Sequence, residues 1–175
     1  MTVEEGAEVY KRILVAVDGS EPSARALEEA LALASGRRRP VTALHAQEAP
    51  VLRAPAVPDA GPGRPSLKVI HVLDDALDQN ELFAHGKAVL THAVERAGEY
   101  GVTAESEMLP AEGRRISDVI LKAAKDHGAD LIVLGSHGSK GLRQVVVALL
   151  GSVAEEVIGN SMVPVMLPGR TPDEM

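Results

Sequence analysis

Leu131-Ile132-Val133-Leu134 is an unbroken apolar run closed off by Asp130 and Gly135, and it constrains the fold more than any other stretch of the chain. No polar residue interrupts the run, so both faces of the strand it forms must be covered. That is the condition of an interior strand in a parallel sheet. Gly135-Ser136-His137-Gly138 follows at the strand's carboxyl end, where glycines permit a sharp turn and close approach to bare backbone. Gly151-Ser152 then opens a helix predicted over Val153 to Ile158. The free N–H groups and dipole of such a helix start favour an anion. Strand, glycine loop and helix N-terminus together suit a phosphate, and the ligand expected is a nucleotide.

The rest of the chain alternates strands with helices. Residues 12 to 17 read as a short apolar strand, followed by a helix capped by Ser20, with Pro22 in its first turn and Gly36 as its stop. Ala24, Leu27, Leu31 and Ala34 recur at helical spacing and are expected to face the sheet. Arg37 to Ser66 is rich in Pro, Ala, Gly and Arg and reads mostly as loop, with one strand-like piece at Val41 to Ala46. There are thus two candidates for the second strand. Val41 to Ala46 follows the first helix by a short connection, whereas Leu67 to Leu73 is more apolar. The second is preferred, with Val41 to Ala46 as an extra edge strand. A helix at about Gln79 to Tyr100 follows, then an alternating strand from Val102 to Met108, a helix from about Arg115, the strand at Leu131, the final helix and a last strand at Val163 to Leu167. This order predicts a doubly wound, mostly parallel sheet with helices on both faces. Asp18, Val72 and Gly135 all fall at the carboxyl ends of strands, where such sheets bind ligands.

Gly-x-x-Gly followed by Gly-Ser resembles the G-x2-G-x9-G-[ST] signature of the universal stress protein family. Arg12 to Ser20, Leu67 to Asp75 and Val163 to Leu167 are similar to other parts of that family, so the likeness spans most of the chain. It implies a single domain over residues 1–175, with a Pro/Gly-rich insertion at about 37–66. The implied fold is a five-stranded Rossmann-like sheet of the adenine-nucleotide α-hydrolase type. It further implies ATP, with Mg²⁺ arriving on its phosphates, held by Ala16, Val17, Asp18, Val72, Leu134, Gly135, His137, Gly138, Gly151, Ser152 and Val153. Asp18 and the backbone of Val17 would meet the adenosine, and Val72 the adenine edge. Two-fold pairing of the last strand into a homodimer is implied as well. Two departures stand out. Ser139 to Leu150, twelve residues, separate Gly138 from Gly151 where the pattern has nine, and the stretch from Arg37 to Ser66 has no clear counterpart. Three extra residues are nearly one helical turn. The apolar run through Leu142, Val145, Val146, Leu149 and Leu150 either absorbs them, keeping Gly151 in place, or bulges and shifts the anion site. Absorption is the expectation.

Composition narrows the partners. A formal charge of −7 opposes binding to a nucleic-acid backbone. Tyr10, Phe83 and Tyr100 are the only aromatic residues, too few for a base-stacking platform. With no cysteine there are no disulfides, which fits a reducing compartment. Met1 to Glu8 is acidic and lacks the pattern of a signal peptide, and no run approaches a transmembrane span. A cytoplasmic protein is expected.

Each candidate residue also has a plainer reading. Asp18 and Ser20 are common turn formers and helix caps, and both roles are compatible because a cap uses one oxygen. Val72 is equally an ordinary core position. His85 and His92 lie seven apart on one helix, too far to chelate a single ion, so no histidine metal site is expected. No paired acid and base, no G-x-S-x-G elbow and no P-loop Gly-Lys-Ser/Thr is present. The sequence therefore points to a nucleotide-binding regulatory protein rather than an enzyme. Two alternatives stay open: a stress protein that acts by protein contacts without ATP, and a slow nucleotide hydrolase.

Overall fold

The computed structural model describes residues 10–35, 41–47, 69–70, 79–102, 104–136 and 151–169. Strand β1 (Ile13–Ala16) leads into helix α1 (Glu21–Ala34), strands β2 (Val41–Gln47) and β3 (Val69–Ile70), and helix α2 (Gln79–Glu99). Strand β4 (Ala104–Pro110), helix α3 (Ile116–Asp126), strand β5 (Leu131–Leu134), helix α4 (Ser152–Asn160) and strand β6 (Val165–Met166) complete the order. All recorded strand pairs are parallel, in the order β4-β2-β3-β1-β5-β6. Among the described residues the sheet thus has six strands, not the expected five.

The apolar run at Leu131 forms the interior strand that its composition requires. Every residue of β1 and β5 is buried, and alternate side chains enter two separate cores. Ile13, Val15, Leu131 and Val133 pack with α1 and α2. Leu14, Ala16, Ile132 and Leu134 pack with α3 and α4 on the opposite face. At the amino end of the sheet, Asp130 accepts from the N–H groups of Lys11 and Arg12 at 2.6 and 2.8 Å and donates its own N–H to the Arg12 carbonyl at 2.9 Å. This clip fixes β1 beside β5.

Two expectations about local structure are corrected. The second strand of the core is β2, not Leu67 to Leu73. It runs beside β1 in the register Ile13↔Val41 to Ala16↔Leu44, and its other edge pairs with β4 from Val41↔Ala104 to Gln47↔Pro110. It is an interior strand, and 41–47 belong to the sheet rather than to a peripheral insertion. This position agrees with the tendency of successive strands joined by a short crossover to lie side by side. Val69–Ile70 instead enters between β1 and β2 near their carboxyl ends, pairing with Val15, Ala16 and Leu44. On α1, Ala24 is exposed, and Ala26 and Ala30 face the sheet with Leu27, Leu31 and Ala34. Residues 36–40 and 48–68, including the expected stop at Gly36, lie outside the described residues.

Helices α1 and α2 are joined by a polar clamp. Arg96 donates to both carboxylate oxygens of Glu28, at 2.7 and 2.6 Å, and the Tyr100 hydroxyl donates to Glu28 Oε2 at 2.6 Å. The guanidinium also lies 5.6 Å from the centroid of the Tyr100 ring. Gly101, with φ of 67°, ends α2 by letting the Val102 N–H return to the Ala97 carbonyl at 2.9 Å. No helix of the described residues is long and apolar enough to cross a membrane.

Candidate functional site

The β1–α1 connection is a tightly bonded turn at the carboxyl end of β1. Asp18, 8% exposed, accepts the Ser20 N–H on Oδ1 at 2.8 Å and donates its own N–H to Ser23 Oγ at 3.1 Å. Ser23 Oγ in turn donates to the Ser20 carbonyl at 3.1 Å, while Ser20 Oγ caps the helix by accepting the Ser23 N–H at 3.3 Å. Gly19 takes φ of 78° in this turn, a conformation that suits glycine. The plainer reading of Ser20 as a cap therefore holds, and Asp18 supports the turn with one oxygen.

Gly135 sits against the start of α1. A Cβ built there would lie 2.8 Å from the Pro22 carbonyl carbon and 2.9 Å from the Ser23 nitrogen. Bare backbone is needed at Gly135 for the approach of a helix N-terminus, where the sequence suggested the approach of a ligand. On its other side, Ser136 accepts the Gly151 N–H on its carbonyl oxygen at 2.8 Å. This bond holds Gly151, and with it the start of α4, at the end of β5.

Gly151 is the N-cap of α4 with φ −65° and ψ 147°, and no side chain caps this helix. The Gly151 carbonyl accepts the Glu155 N–H at 3.0 Å. Among the described residues, the N–H groups of Ser152, Val153 and Ala154 have no recorded partner, as the first turn of an uncapped helix requires. Ser152 is exposed, Gly151 and Val153 are half-buried, and Ala154 is buried. The approach of Gly135 to Pro22 and Ser23 and the bond from Gly151 to Ser136 thus place the Asp18–Ser23 turn, Gly135–Ser136 and the N-cap of α4 along one rim at the carboxyl ends of β1 and β5. Ala16 and Leu134 lie buried just beneath it. Val72, His137 and Gly138 lie outside the described residues.

Two further groups border this rim that sequence reasoning did not select. His85 of α2 lies against the turn, its Nε2 3.2 Å from where a Gly19 Cβ would stand, with Val89 Cγ2 at 3.0 Å. Arg115, at the N-cap of α3, ion-pairs with Asp118 at 3.2 Å and with Glu156 of α4 at 3.3 Å. The Asp118 hydrogen bond first, then the charges of Asp118 and Glu156, raise the pKa of this guanidinium. Ser117 also hydrogen-bonds Glu156. The sequence signal for this group is Arg114-Arg115 placed directly before a helix that follows a strand's carboxyl end. Among the described residues, no three His, Asp or Glu side chains converge as a metal site.

The sequence pattern of the universal stress protein family matches residues 9–167. The chain belongs to that family. Universal stress protein YxiE of Bacillus subtilis is 33% identical over 161 residues, covering 91% of this chain and 99% of the relative. Among solved structures, protein MJ0577 of Methanocaldococcus jannaschii matches with a TM-score of 0.63 at 24% identity, covering 94% of this chain and 99% of that one. The universal stress protein of Archaeoglobus fulgidus in complex with dAMP matches with a TM-score of 0.58 at 24% identity, covering 90% and 97%. These likenesses establish the parallel α/β fold with helices on both faces.

Proposed function

We propose that this universal stress protein is an ATP-binding regulatory protein of the stress response, and that its nucleotide lies along the rim at the carboxyl ends of β1 and β5. The observation that supports this reading is the Gly151 N–H to Ser136 carbonyl bond at 2.8 Å, which holds an uncapped helix start at the carboxyl end of β5. The nucleotide-bound relative from Archaeoglobus fulgidus supports an adenine nucleotide as the ligand class. In this reading the phosphates meet the N–H groups of Ser152 and Val153, and Gly151 and Gly138 offer bare backbone. Gly151's own N–H is already engaged by Ser136, so the donors sit one and two residues further into α4 than the glycine itself.

The adenosine would lie toward Asp18 and the backbone of Val17. Because β3 enters between β1 and β2 with Ile70 opposite Ala16, the adenine contact stays with the segment that follows Ile70, at the backbone of Val72, as the family resemblance implies. Mg²⁺ would arrive on the phosphates rather than in a cage of protein ligands. A cytoplasmic homodimer that binds neither nucleic acid nor membrane is part of the same proposal, supported by the charge of −7 and by the edge strand β6. Turnover is not part of it, since a water at bound Mg²⁺–ATP would give only slow hydrolysis.

Titration calorimetry with Mg²⁺–ATP tests the reading. Wild-type protein is expected to bind. Gly151→Val, whose branched side chain fills the space a phosphate needs, is expected to lose binding while its melting temperature stays within a few degrees. Absence of binding in the wild type would leave the reading of a stress protein acting by protein contacts alone.

A further inference from the structure

Ser152 and Glu156 stand one turn apart on α4, so their Cβ atoms share one face at a spacing of roughly 5–6 Å. Helix side chains lean toward the N-terminus, which brings the Glu156 carboxylate back toward the first turn. Glu155 is exposed on the same short helix. A nucleotide that carries more than one phosphate beyond the N–H groups of Ser152 and Val153 therefore meets negative charge. The Arg115 guanidinium lies beside that carboxylate, 3.3 Å from Glu156 Oε1. Its side chain is 65% exposed and is shared with Asp118. Solvent-exposed ion pairs of this kind are weak and exchange partners at little cost. Arg115 also stands at the N-terminus of α3, whose dipole adds positive potential to the same corner.

We infer that Arg115 is a specificity-determining residue that senses phosphate number: its guanidinium leaves Glu156 for the terminal phosphate of a nucleoside triphosphate. The inference rests on the nucleotide reading above and goes beyond it by naming what separates ATP from AMP at this site. A monophosphate is satisfied by the first turn of α4 and has nothing within reach of Arg115. A triphosphate gains a charge-assisted, bidentate contact, which outweighs the repulsion from the Glu156 carboxylate that the arginine leaves behind. The ion pair seen here is then the resting state of a two-position side chain rather than a brace between α3 and α4.

Calorimetric titration of ATP, ADP and AMP into wild type, Arg115→Gln and Glu156→Gln tests this, with thermal melts to confirm folding. Arg115→Gln is expected to weaken ATP about tenfold, the scale of one hydrogen bond to a charged group, and AMP less than about twofold. Glu156→Gln, which releases the arginine and removes the repulsion, is expected to hold or raise ATP affinity. A bracing role would instead make both variants lose alike, with every nucleotide, and that result overturns the inference. So does an Arg115→Gln protein that matches wild type with all three ligands, which leaves the nucleotide reading intact. Wild type that binds none of the three overturns both.

Discussion

Gly135 has no positive φ, so its lack of a side chain is not demanded by its own backbone. The demand comes from Pro22 and Ser23, whose backbone atoms stand 2.8 and 2.9 Å from where a Cβ would be. Backbone at a helix start cannot swing aside as a flexible side chain can, so one methyl group must part α1 from β5. Gly135→Ala is expected to cost about 1–3 kcal/mol and to lower the melting temperature by roughly 3–10 °C. A thermal melt checks this, and an unchanged midpoint would show that the two elements are not in register-fixing contact. The importance of Gly135 was legible in the sequence as a glycine after a buried strand, but its partner was not. Pro22 lies more than a hundred residues away in the chain, and only the fold brings it there. Asp18 and Ser20 illustrate the opposite case. Their turn chemistry is local, and the cap expected from sequence is the cap that forms.

Which strand lies second in the core depends on competition between elements, and composition gave the wrong preference. Leu67 to Leu73 is the more apolar segment, yet Val41–Gln47 pairs along both of its edges. Apolar content reports how much burial a segment tolerates, whereas strand pairing decides where in the sheet it lies, and successive strands tend to lie side by side. Amide exchange at 42–46 is accordingly expected to be as slow as at Leu131 to Leu134, since both strands are interior. Fast exchange at 42–46 would return β2 to the edge. The clamp between α1 and α2 gives a second test at this scale. Hydrogen bonding from Arg96 pulls the Glu28 carboxyl below its usual value, and bonding to Glu28 pushes the Tyr100 hydroxyl up. A carboxylate with a depressed folded pKa stabilises above its unfolded value near 4.5, and this contribution is lost as pH falls through the folded value. Tyr100 works the other way: its contribution is complete below 10.0 and is lost as pH rises through the folded value. The melting temperature of wild type should therefore exceed that of Glu28→Gln by a constant margin from about pH 6 to 9, and the margin should close on acidification below about pH 4. A margin that shows no decline as the pH is lowered below 4.5 and on to acid unfolding would show that the clamp's carboxylate contributes nothing through its charge.

Over the whole molecule, the alternation of apolar runs and amphipathic stretches was enough to expect a parallel sheet with helices on both faces. Assembly is a different kind of property, because it depends on what the sheet leaves at its borders. Among the described residues β6 is an outer strand, paired only with β5 in the register Ile132↔Val165 and Val133↔Met166. The Ile132 N–H reaches the Pro164 carbonyl at 3.0 Å. In a parallel ladder this makes Val165 the residue whose own N–H and C=O point away from β5. Val165 is only half-buried, and its outward backbone groups form a template for another strand. A second copy could pair here two-fold, each chain continuing the other's sheet. Wild type is expected to sediment as a dimer at micromolar concentration. A lysine at Val165 would disturb the α3–α4 core that this side chain packs against, so it cannot separate assembly from folding. Val165→Pro removes the outward donor and keeps a similar apolar volume, at the kind of edge position where proline is tolerated. Sedimentation velocity should then show a monomer while the thermal midpoint falls by only a few degrees. A monomeric wild type at high micromolar concentration, or a Val165→Pro protein that remains dimeric, would move the assembly surface away from β6.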